Sequence, residues 1–473
     1  MNTLSPILRT GLCIAVTMIG LSILSAWFPY GADISNMPVI AYVAIALLAG
    51  GMWVVLPGQI QATRPQRVSI LAILIIGLIA RGAMFFSSPV LEDDSYRYLW
   101  DGAVTARGLD PYQYAPAEAA ADPIFGSVTQ DLTDPNLSAL KALAENHPDA
   151  HARINYPYVS TIYPPLTQAA FALAHFIDPF GLTGWRLVLL AADLISFLLL
   201  LSVLKVYQRD ASWVALYWWN PVIILQGFGA AHMDILVLPF LIGAVLLARR
   251  DRPAWAALAL AGAAGVKLWP ILLFPLIARP YLFQIRHLIW ISALMICAAG
   301  LLIAPQLLHA IQPDAGLNAY ASDWRTHAFL FALLEDVLLS HFDDPGQAAR
   351  LLVAMVMIGL TGFLALRYAD TPARLPVLMT TIIASLIFLS PTGYPWYFIW
   401  LAPFLALVPA VGLRCLIVLA PLYWMRFQLG DADPFYQWIL VPIAFGIPLA
   451  LLAHSLRRKE TRDEIGHHYS SLE

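Results

Sequence analysis

Three consecutive carboxylates, Glu92, Asp93 and Asp94, are the residues of this sequence whose types and spacing point most directly to chemistry. They follow a long apolar run in a chain whose charged residues make up only 12% of the total. Because an apolar chain must keep its charges in water or pair them, we expect these acids to stand at a membrane surface. One of them would serve there as a general base or metal ligand, while a neighbour caps a helix or orients it. The simpler alternative is that all three only cap the following helix.

Two further charged groups could meet these acids. Lys267 lies in an apolar segment broken by Pro270, and its ammonium group needs an anion or a carbonyl as partner, for which a lipid phosphate would serve. The pattern His232-x-Asp234 falls between two apolar runs, where it is a weak metal signal and equally typical of a surface turn. Arg97 is expected to pair with Asp93 or Asp94 and to lower the pKa of that carboxyl group.

Aromatic and basic residues recur in the loops that we place on the side of the acids. They are found around Arg153 and Tyr163, around Arg325, and in the segment from Tyr394 to Trp396. Aromatic rings suit the face of a sugar, and cations suit a phosphate. The same residues would equally suit an aromatic belt at the membrane interface.

The composition defines the elements that must position these residues. Of 473 residues 60% are hydrophobic, and the mean hydropathy is +0.71, as expected for an integral membrane protein in contact with the lipid bilayer. Recurrent apolar runs predict an all-α, polytopic transmembrane bundle of about 12–14 spans, with short juxtamembrane helices in one long extracytoplasmic loop. A net charge of −3 and the lack of a basic stripe argue against nucleic acid as a partner.

Basic residues in the loops set the predicted orientation. Arg64 and Arg67 mark a cytoplasmic loop, so the next apolar run delivers the acids to the extracytoplasmic face, and Arg457-Arg458-Lys459 places the C-terminus in the cytoplasm. Four regions follow: N-terminal transmembrane helices (1–86), an extracytoplasmic loop with the acidic motif (87–165), a transmembrane core with short extracytoplasmic loops (166–456) and a cytoplasmic polar tail (457–473).

Two details of these regions are predicted from residue type and spacing. In the long loop, Leu137, Leu140 and Leu143 have helical spacing and predict a helix lying on the membrane face. Among the charges within predicted spans, Arg81 is expected to extend to the nearby interface, and Asp193 to serve as a structural hydrogen-bond partner.

Taken in order, these motifs resemble bacterial GT-C glycosyltransferases, in particular the polyprenyl-phosphate-mannose-dependent mannosyltransferases. The resemblance extends from about Arg81 to Arg286, and a weaker similarity is found around Tyr394. In that family the acidic motif is usually placed on the first helix, whereas in this sequence two helices lie ahead of it. The motifs are the acids themselves, Tyr96-Arg97-Tyr98-Leu99-Trp100-Asp101-Gly102, Gly108-Leu109-Asp110-Pro111-Tyr112, Tyr163-Pro164-Pro165-Leu166 and Lys267-x-x-Pro270.

The resemblance implies an inverting transfer of a mannose-like hexose from a polyprenyl-phosphate donor to a glycan or glycolipid hydroxyl, on the extracytoplasmic face of the cytoplasmic (inner) membrane. Asp94, or else Asp93, would be the general base. Such enzymes divide over metal use, which leaves a divalent metal ion as an option. The donor phosphate would be bound by Lys267, Arg153 and Arg325, and the substrates by Glu92, Arg97, Tyr163, His232, Asp234, Tyr394 and Trp396.

Two other functions compete with this one. A polymerase or ligase of lipid-linked glycans would also use an extracytoplasmic loop and cations, but would not obviously need the adjacent carboxylates of Glu92 to Asp94. A transporter or flippase of lipid-linked sugars predicts polar residues along a path through the membrane midplane, whereas here they concentrate on one face.

Overall fold

The fold is built from helices in a computed structural model that describes residues 4–63, 68–119, 134–310, 316–368 and 372–457. Within those ranges the β pairing is one isolated bridge between Thr326 and Thr392. The predicted all-α, polytopic membrane fold is thus confirmed. The basic residues Arg64, Arg67, Arg458 and Lys459, on which the predicted orientation partly relied, lie outside the described residues.

Four helices precede the acidic motif and form the first layer of the bundle. The first helix starts after Ser5, whose hydroxyl accepts a hydrogen bond from the Leu8 amide, and the fourth starts after Ser69 in the same way. The first helix packs against both the second and the fourth. Their bounds are α1 (Pro6–Leu24), α2 (Val39–Val54), α3 (Leu56–Ala62) and α4 (Ile70–Met84).

Four helices occupy the described parts of the segment between the acids and the first long span that follows. The predicted helix is present, and Leu137, Leu140 and Leu143 are buried on one face of it. Leu140 and Leu143 pack in a cluster with Trp100, so this face contacts protein. The acid-bearing helix packs closely on another, because a Cβ added at Gly102 would collide with the backbone of Phe171. The bounds are α5 (Asp94–Ala106), α6 (Pro135–Asn146), α7 (Pro148–Ala152) and α8 (Pro165–Ile177).

The remaining helices surround these and form the body of the protein. They are α9 (Leu182–Val206), α10 (Ala215–Trp218), α11 (Leu238–Arg249), α12 (Pro253–Val266), α13 (Phe274–Ala278), α14 (Ile285–His309), α15 (Gly316–Asp323), α16 (Leu330–Leu338), α17 (Pro345–Arg367), α18 (Leu375–Leu389), α19 (Ala402–Leu405), α20 (Val411–Leu419), α21 (Met425–Leu429) and α22 (Val441–Arg457). Short 3-10 and π-helical segments interrupt them, notably at Ile223–Gly229, Met233–Val237, Trp269–Leu273 and Pro395–Leu401.

The interruptions explain why full-length spans are fewer than the apolar runs in the sequence. Among the described residues, six helical stretches are long and apolar enough to cross a membrane, and a pair bent by 110° would make seven. Five shorter apolar helices of 10–17 residues accompany them. The sequence count of about 12–14 treated all these runs alike, because hydropathy registers an apolar run whether or not the backbone breaks within it.

Charges inside the bundle are paired rather than extended to the interface. Arg81 is buried, with its Nε 2.6 Å from Asp193 Oδ2, so the expectation that it extends to the interface is wrong. Arg81 also donates to the Trp218 carbonyl at 2.7 Å, and Tyr217 donates its hydroxyl proton to Asp193. Asp193 is therefore the structural hydrogen-bond partner that was predicted, and a buried arginine is retained because its charge is compensated.

Candidate active site

A cavity of about 470 Å³ lies where the acidic motif meets the helix breaks of the bundle. Residues far apart in the sequence meet on its wall. Of the site residues predicted from sequence, those that line this cavity are Asp94, Tyr163, Asp234, Lys267, Tyr394 and Trp396. Those that lie off the lining are Glu92, Asp93, Arg97, Arg153, His232 and Arg325. We refer to this space as the acidic cavity.

Asp94 is the first residue of α5, and three side chains surround its carboxylate. Asn155 donates through Nδ2 to Asp94 Oδ1 and also, at 3.2 Å, to Asp93 Oδ1. The hydroxyl group of Tyr98, one turn further along α5, donates to Asp94 Oδ2 at 3.3 Å. His232 brings its Nδ1 to within 3.5 Å of the same oxygen. The carboxylate is thus held in a fixed orientation toward the cavity.

The two neighbouring aspartates differ in their acidity. Burial works to raise the pKa of Asp94, but the hydrogen bond and charge of His232, with the hydrogen bond from Asn155, hold that pKa below its ordinary value. Protein atoms crowd around Asp93 although its side chain reaches the surface, and this loss of water, together with the charge of Asp94, raises its pKa to about 6. Asp94 is therefore the fully ionised carboxylate at neutral pH.

His232 stands behind Asp94 at a sharp break in the chain. The segments Ile223–Gly229 and Met233–Arg249 meet there at 110°, and the buried imidazole stacks on Trp396 with ring centroids 3.9 Å apart. Ala231, at φ +62°, adopts the left-handed conformation that this turn requires. Backbone of this irregular kind is tolerated within a membrane protein where it is buried in protein or lines a cavity.

Arg186 fixes that break to the loop that carries the acids. Its guanidinium group donates to the carbonyls of Phe228 at 2.8 Å and Gly229 at 2.9 Å on one side. On the other side it donates to the carbonyls of Phe85 at 3.1 Å and Ser87 at 2.9 Å, just past the end of α4. These bonds hold the acid-bearing loop against the segment that carries His232.

Lys267 occupies a second break, between α12 and the 3-10 segment Trp269–Leu273. Its ammonium group lies 2.7 Å from Asp234 Oδ1, which also accepts a 2.7 Å hydrogen bond from the indole of Trp400. The ring of Tyr397 lies 4.4 Å from the same ammonium group. The expectation that Lys267 needs an anionic or carbonyl partner is confirmed, and the partner is Asp234.

Two predicted cations have other partners. Arg97 lies with Nε 2.9 Å from Asp101 and donates to the Val159 carbonyl, also at 2.9 Å. The expected pairing of Arg97 with Asp93 or Asp94 is therefore wrong, because an acid four residues further along the same helix is better placed to reach it. Arg153 donates to the Tyr96 hydroxyl at 3.1 Å, outside the acidic cavity.

The other two predicted residues point away from the acidic cavity. Burial, followed by the charges of Asp94 and Asp93, raises the pKa of Glu92 well above its ordinary value. The charge of Arg426 and a hydrogen bond from Trp424 act in the opposite direction and are outweighed. Arg325 pairs with Glu335 at 2.5 Å and lines a second cavity.

Asn155 and Arg350 are among the residues of the site that were not predicted. Asn155, which donates to both aspartates, is an uncharged residue between Arg153 and Tyr156, and nothing in its type or spacing marks it as a partner of the acids. Arg350 lies on the cavity wall in α17 and donates to the Trp324 carbonyl at 3.2 Å, while its buried Nε has no partner among the described residues. An arginine early in an apolar helix was the signal available for it.

Metal ligation was left open by the sequence. Over the described ranges, no group of three or more His, Cys, Asp or Glu side chains is arranged to hold a metal ion.

Several membrane-spanning helices surround a cavity that holds an ionised carboxylate, two cations and several aromatic rings. This combination suits an integral-membrane glycosyltransferase. The chain belongs to the family described as "Alpha-(1->6)-mannopyranosyltransferase, N-terminal domain", whose model matches residues 8–281, more than half of the chain. The protein is therefore a membrane mannosyltransferase, and the resemblance seen in the sequence is confirmed. No curated protein and no solved structure matches the chain. Asp94, Asp234 and Lys267 fall within the matched region.

Proposed function

We propose that this mannosyltransferase takes its sugar from a polyprenyl-phosphate donor and transfers it, with inversion, to a hydroxyl group of a glycan or glycolipid. Asp94 is the general base. The observation that carries this proposal is the position of Asp94, since it is the more acidic of the two aspartates and it faces the cavity with Asn155, Tyr98 and His232 holding it. A general base must both be deprotonated and point at the reacting hydroxyl.

The shape of the acidic cavity supports a lipid-linked donor. Its far wall is apolar, built from residues of the Trp269–Leu273 segment, α17 and α18, among them Leu272, Met357 and Ile387. Ile358 lines the cavity and is also 65% exposed on the outer surface of α17, so the cavity reaches the side of the bundle that faces lipid. A polyprenyl chain can lie along this wall while its phosphate and sugar reach the polar end.

Two cations at the polar end suit the donor phosphate. Lys267 extends between the rings of Tyr397 and Trp400, and Arg350 lines the same space with an unpartnered buried Nε in the described structure. A guanidinium group binds phosphate oxygens through paired N–H groups. We assign the phosphate to Lys267 and Arg350 in preference to Arg153 and Arg325, because the latter two lie off this cavity.

The reaction then balances within the cavity. The acceptor hydroxyl oxygen forms a bond to the anomeric carbon, and its proton passes to Asp94. The bond from the anomeric carbon to the phosphate oxygen breaks, and its electron pair leaves with the polyprenyl phosphate, which Arg350 and Lys267 stabilise. Attack from the opposite side inverts the configuration, so an α linkage of the kind in the family's description requires a β-linked donor.

We further propose that the cavity opens on the extracytoplasmic face of the inner membrane, with the C-terminus in the cytoplasm. The acid-bearing loop and α5 follow the third long apolar run of the sequence, and the basic residues flanking the earlier and final runs favour this orientation.

The test is to incubate the purified protein with a panel of radiolabelled polyprenyl-phosphate sugars and membrane glycolipid acceptors. Wild-type protein should transfer mannose from the polyprenyl-phosphate donor, and Asp94→Asn should abolish the transfer without loss of folded protein. Transfer from a sugar nucleotide but not from a polyprenyl-phosphate sugar would overturn the assignment of the donor. Full activity of Asp94→Asn would overturn the assignment of the base.

A further inference from the structure

A second cavity, of about 530 Å³, adjoins the acidic cavity and differs from it in chemistry. Half of its fourteen lining residues are polar, including Asp336, Arg325 and Gln437, and the apolar half includes the rings of Phe329 and Trp438. Its walls come from the segment before α16, from α16 itself, and from the start of the last transmembrane span. We refer to this space as the polar cavity.

The two cavities share a wall that is formed by two hydrogen-bonded chain segments, one around Thr326 and one around Thr392. The Thr326 amide donates to the Pro391 carbonyl at 3.1 Å, and the Gly393 amide donates to the Thr326 carbonyl at 2.9 Å. Pro391 and Thr392 face the acidic cavity, whereas Thr326 and His327 face the polar cavity. This wall is closely packed, because a Cβ added at Gly393 would collide with the His327 carbonyl oxygen.

Side chains beside this wall link the surroundings of Asp94 with the polar cavity. The ring of Tyr156 stacks on Trp324 with centroids 4.4 Å apart. Burial raises the pKa of Tyr156, as does the nearby charge of Asp94, while the charge of Arg426 lowers it, so both charged groups act on its hydroxyl. Arg426 in turn pairs with Asp431, on the rim of the polar cavity, at 2.6 Å.

The lining of the polar cavity fits a carbohydrate rather than a lipid tail or a phosphate. Sugar hydroxyls hydrogen-bond to carboxylate, amide and guanidinium groups, and the apolar face of a sugar ring stacks on an aromatic side chain. Carboxylates such as Asp336 would repel a phosphate, and an alkyl chain would leave the polar half of the lining without partners. Trp438, which lines the cavity at the start of the last span, is 61% exposed and leaves its ring free to stack on a sugar.

We infer that the polar cavity binds the acceptor glycan at sugar units beyond the one that reacts, and so selects an oligosaccharide acceptor. This inference rests on the proposed function, because the acceptor is a glycan only if the protein transfers a sugar to one. The reacting hydroxyl reaches Asp94 while the next units pass Tyr156 and enter the polar cavity beside Trp438.

The experiment measures binding of an α-1,6-linked mannotriose methyl glycoside to the full-length protein in nanodiscs, with saturation-transfer NMR for contact and calorimetry for Kd. Trp438→Ala and Asp336→Asn should each raise Kd about three- to tenfold, the effect expected for loss of one stacking or polar contact. Trp290→Ala is the matched control, because Trp290 in α14 is 62% exposed but lies away from both cavities. Binding of a polyprenyl phosphate should not change in either variant.

Unchanged Kd in both Trp438→Ala and Asp336→Asn would overturn the inference. The inference would also be overturned if the wild-type protein transferred mannose to a hydroxyl acceptor but did not bind the trisaccharide. In that case the proposed function would still stand. A raised acceptor KM in the two variants, with kcat retained at saturating acceptor, supports the polar cavity specifically, because damage to the chemistry would lower kcat instead.

Discussion

Replacing Asp93 and Asp94 separately by asparagine distinguishes two carboxylates that share one hydrogen-bond donor, Asn155. Asp94 faces the acidic cavity and Asp93 does not. If Asp94 is the base, Asp94→Asn removes general-base catalysis and should lower kcat by about 10²- to 10⁴-fold. Asp93→Asn keeps the base and its contacts with Tyr98 and should change kcat only a few-fold.

The pKa values of the two acids supply a second, quantitative criterion. The pKa of Asp93 is raised to about 6, whereas that of Asp94 is held below its ordinary value. At pH 5 a base with the pKa of Asp93 would be only about one-tenth ionised, whereas a base whose pKa lies below that of an ordinary aspartate would remain largely ionised. With Asp94 as the base, kcat/KM at pH 5 should therefore remain close to its value at neutral pH.

The assay is radiolabelled mannose transfer by wild-type protein and by Asp93→Asn from about pH 4.5 to pH 8. Each sample is returned to neutral pH afterwards, to show that activity lost in acid was not lost by unfolding. A tenfold fall in wild-type kcat/KM between pH 7 and pH 5, together with an inactive Asp93→Asn protein, would refute the choice of Asp94 and identify Asp93 as the base.

Three further predictions concern the cations and the buried charges. Arg350→Met and Lys267→Met should each raise the donor KM more than the acceptor KM in steady-state transfer assays, and equal donor affinity in both would remove them from the phosphate site. Asp193→Leu should destabilise the protein by about 3–5 kcal/mol in chemical unfolding, because it leaves Arg81 buried without its charge partner, whereas combining it with Arg81→Met should restore most of that loss. Asp93→Asn should raise the thermal stability at pH 8 but not at pH 4. The folded-state pKa of Asp93, about 6, lies above its value in the unfolded chain, so the wild-type protein loses stability as the pH rises through 6 and Asp93 ionises.

The parts of the site that could be predicted are those where the sequence places a charged residue beside or within an apolar run, where an unpaired charge has a high free-energy cost. Asp94 and Lys267 stand out because each follows or interrupts an apolar run, and an ion in such a setting needs either water or a partner. The partner of Lys267 could be predicted only as a class of group. Its identity as Asp234 depends on two helix breaks meeting in space, although the two residues are 33 positions apart in the chain.

The parts that could not be predicted depend on which way a side chain turns. Arg97 had acids on both sides along the chain, and only the geometry of α5 selects Asp101. Arg325 has the same charge as Arg350, yet one lines the polar cavity and the other the acidic cavity, on either side of the wall formed at Thr326. The number of spans could not be predicted from hydropathy either, because short 3-10 and π-helical segments are as apolar as the helices that they interrupt.

The distribution of charge in the acidic cavity favours the proposed reaction for a reason that goes beyond binding. Asp94 and Asp234 carry negative charge there, and Lys267 and Arg350 carry positive charge. When the sugar is transferred, Asp94 gains a proton and loses its charge while the departing phosphate gains one negative charge. The total charge of the cavity is therefore constant, and negative charge moves from the Asp94 side to the Lys267 and Arg350 side. A reaction that shifts charge toward fixed cations costs less than one that creates net charge.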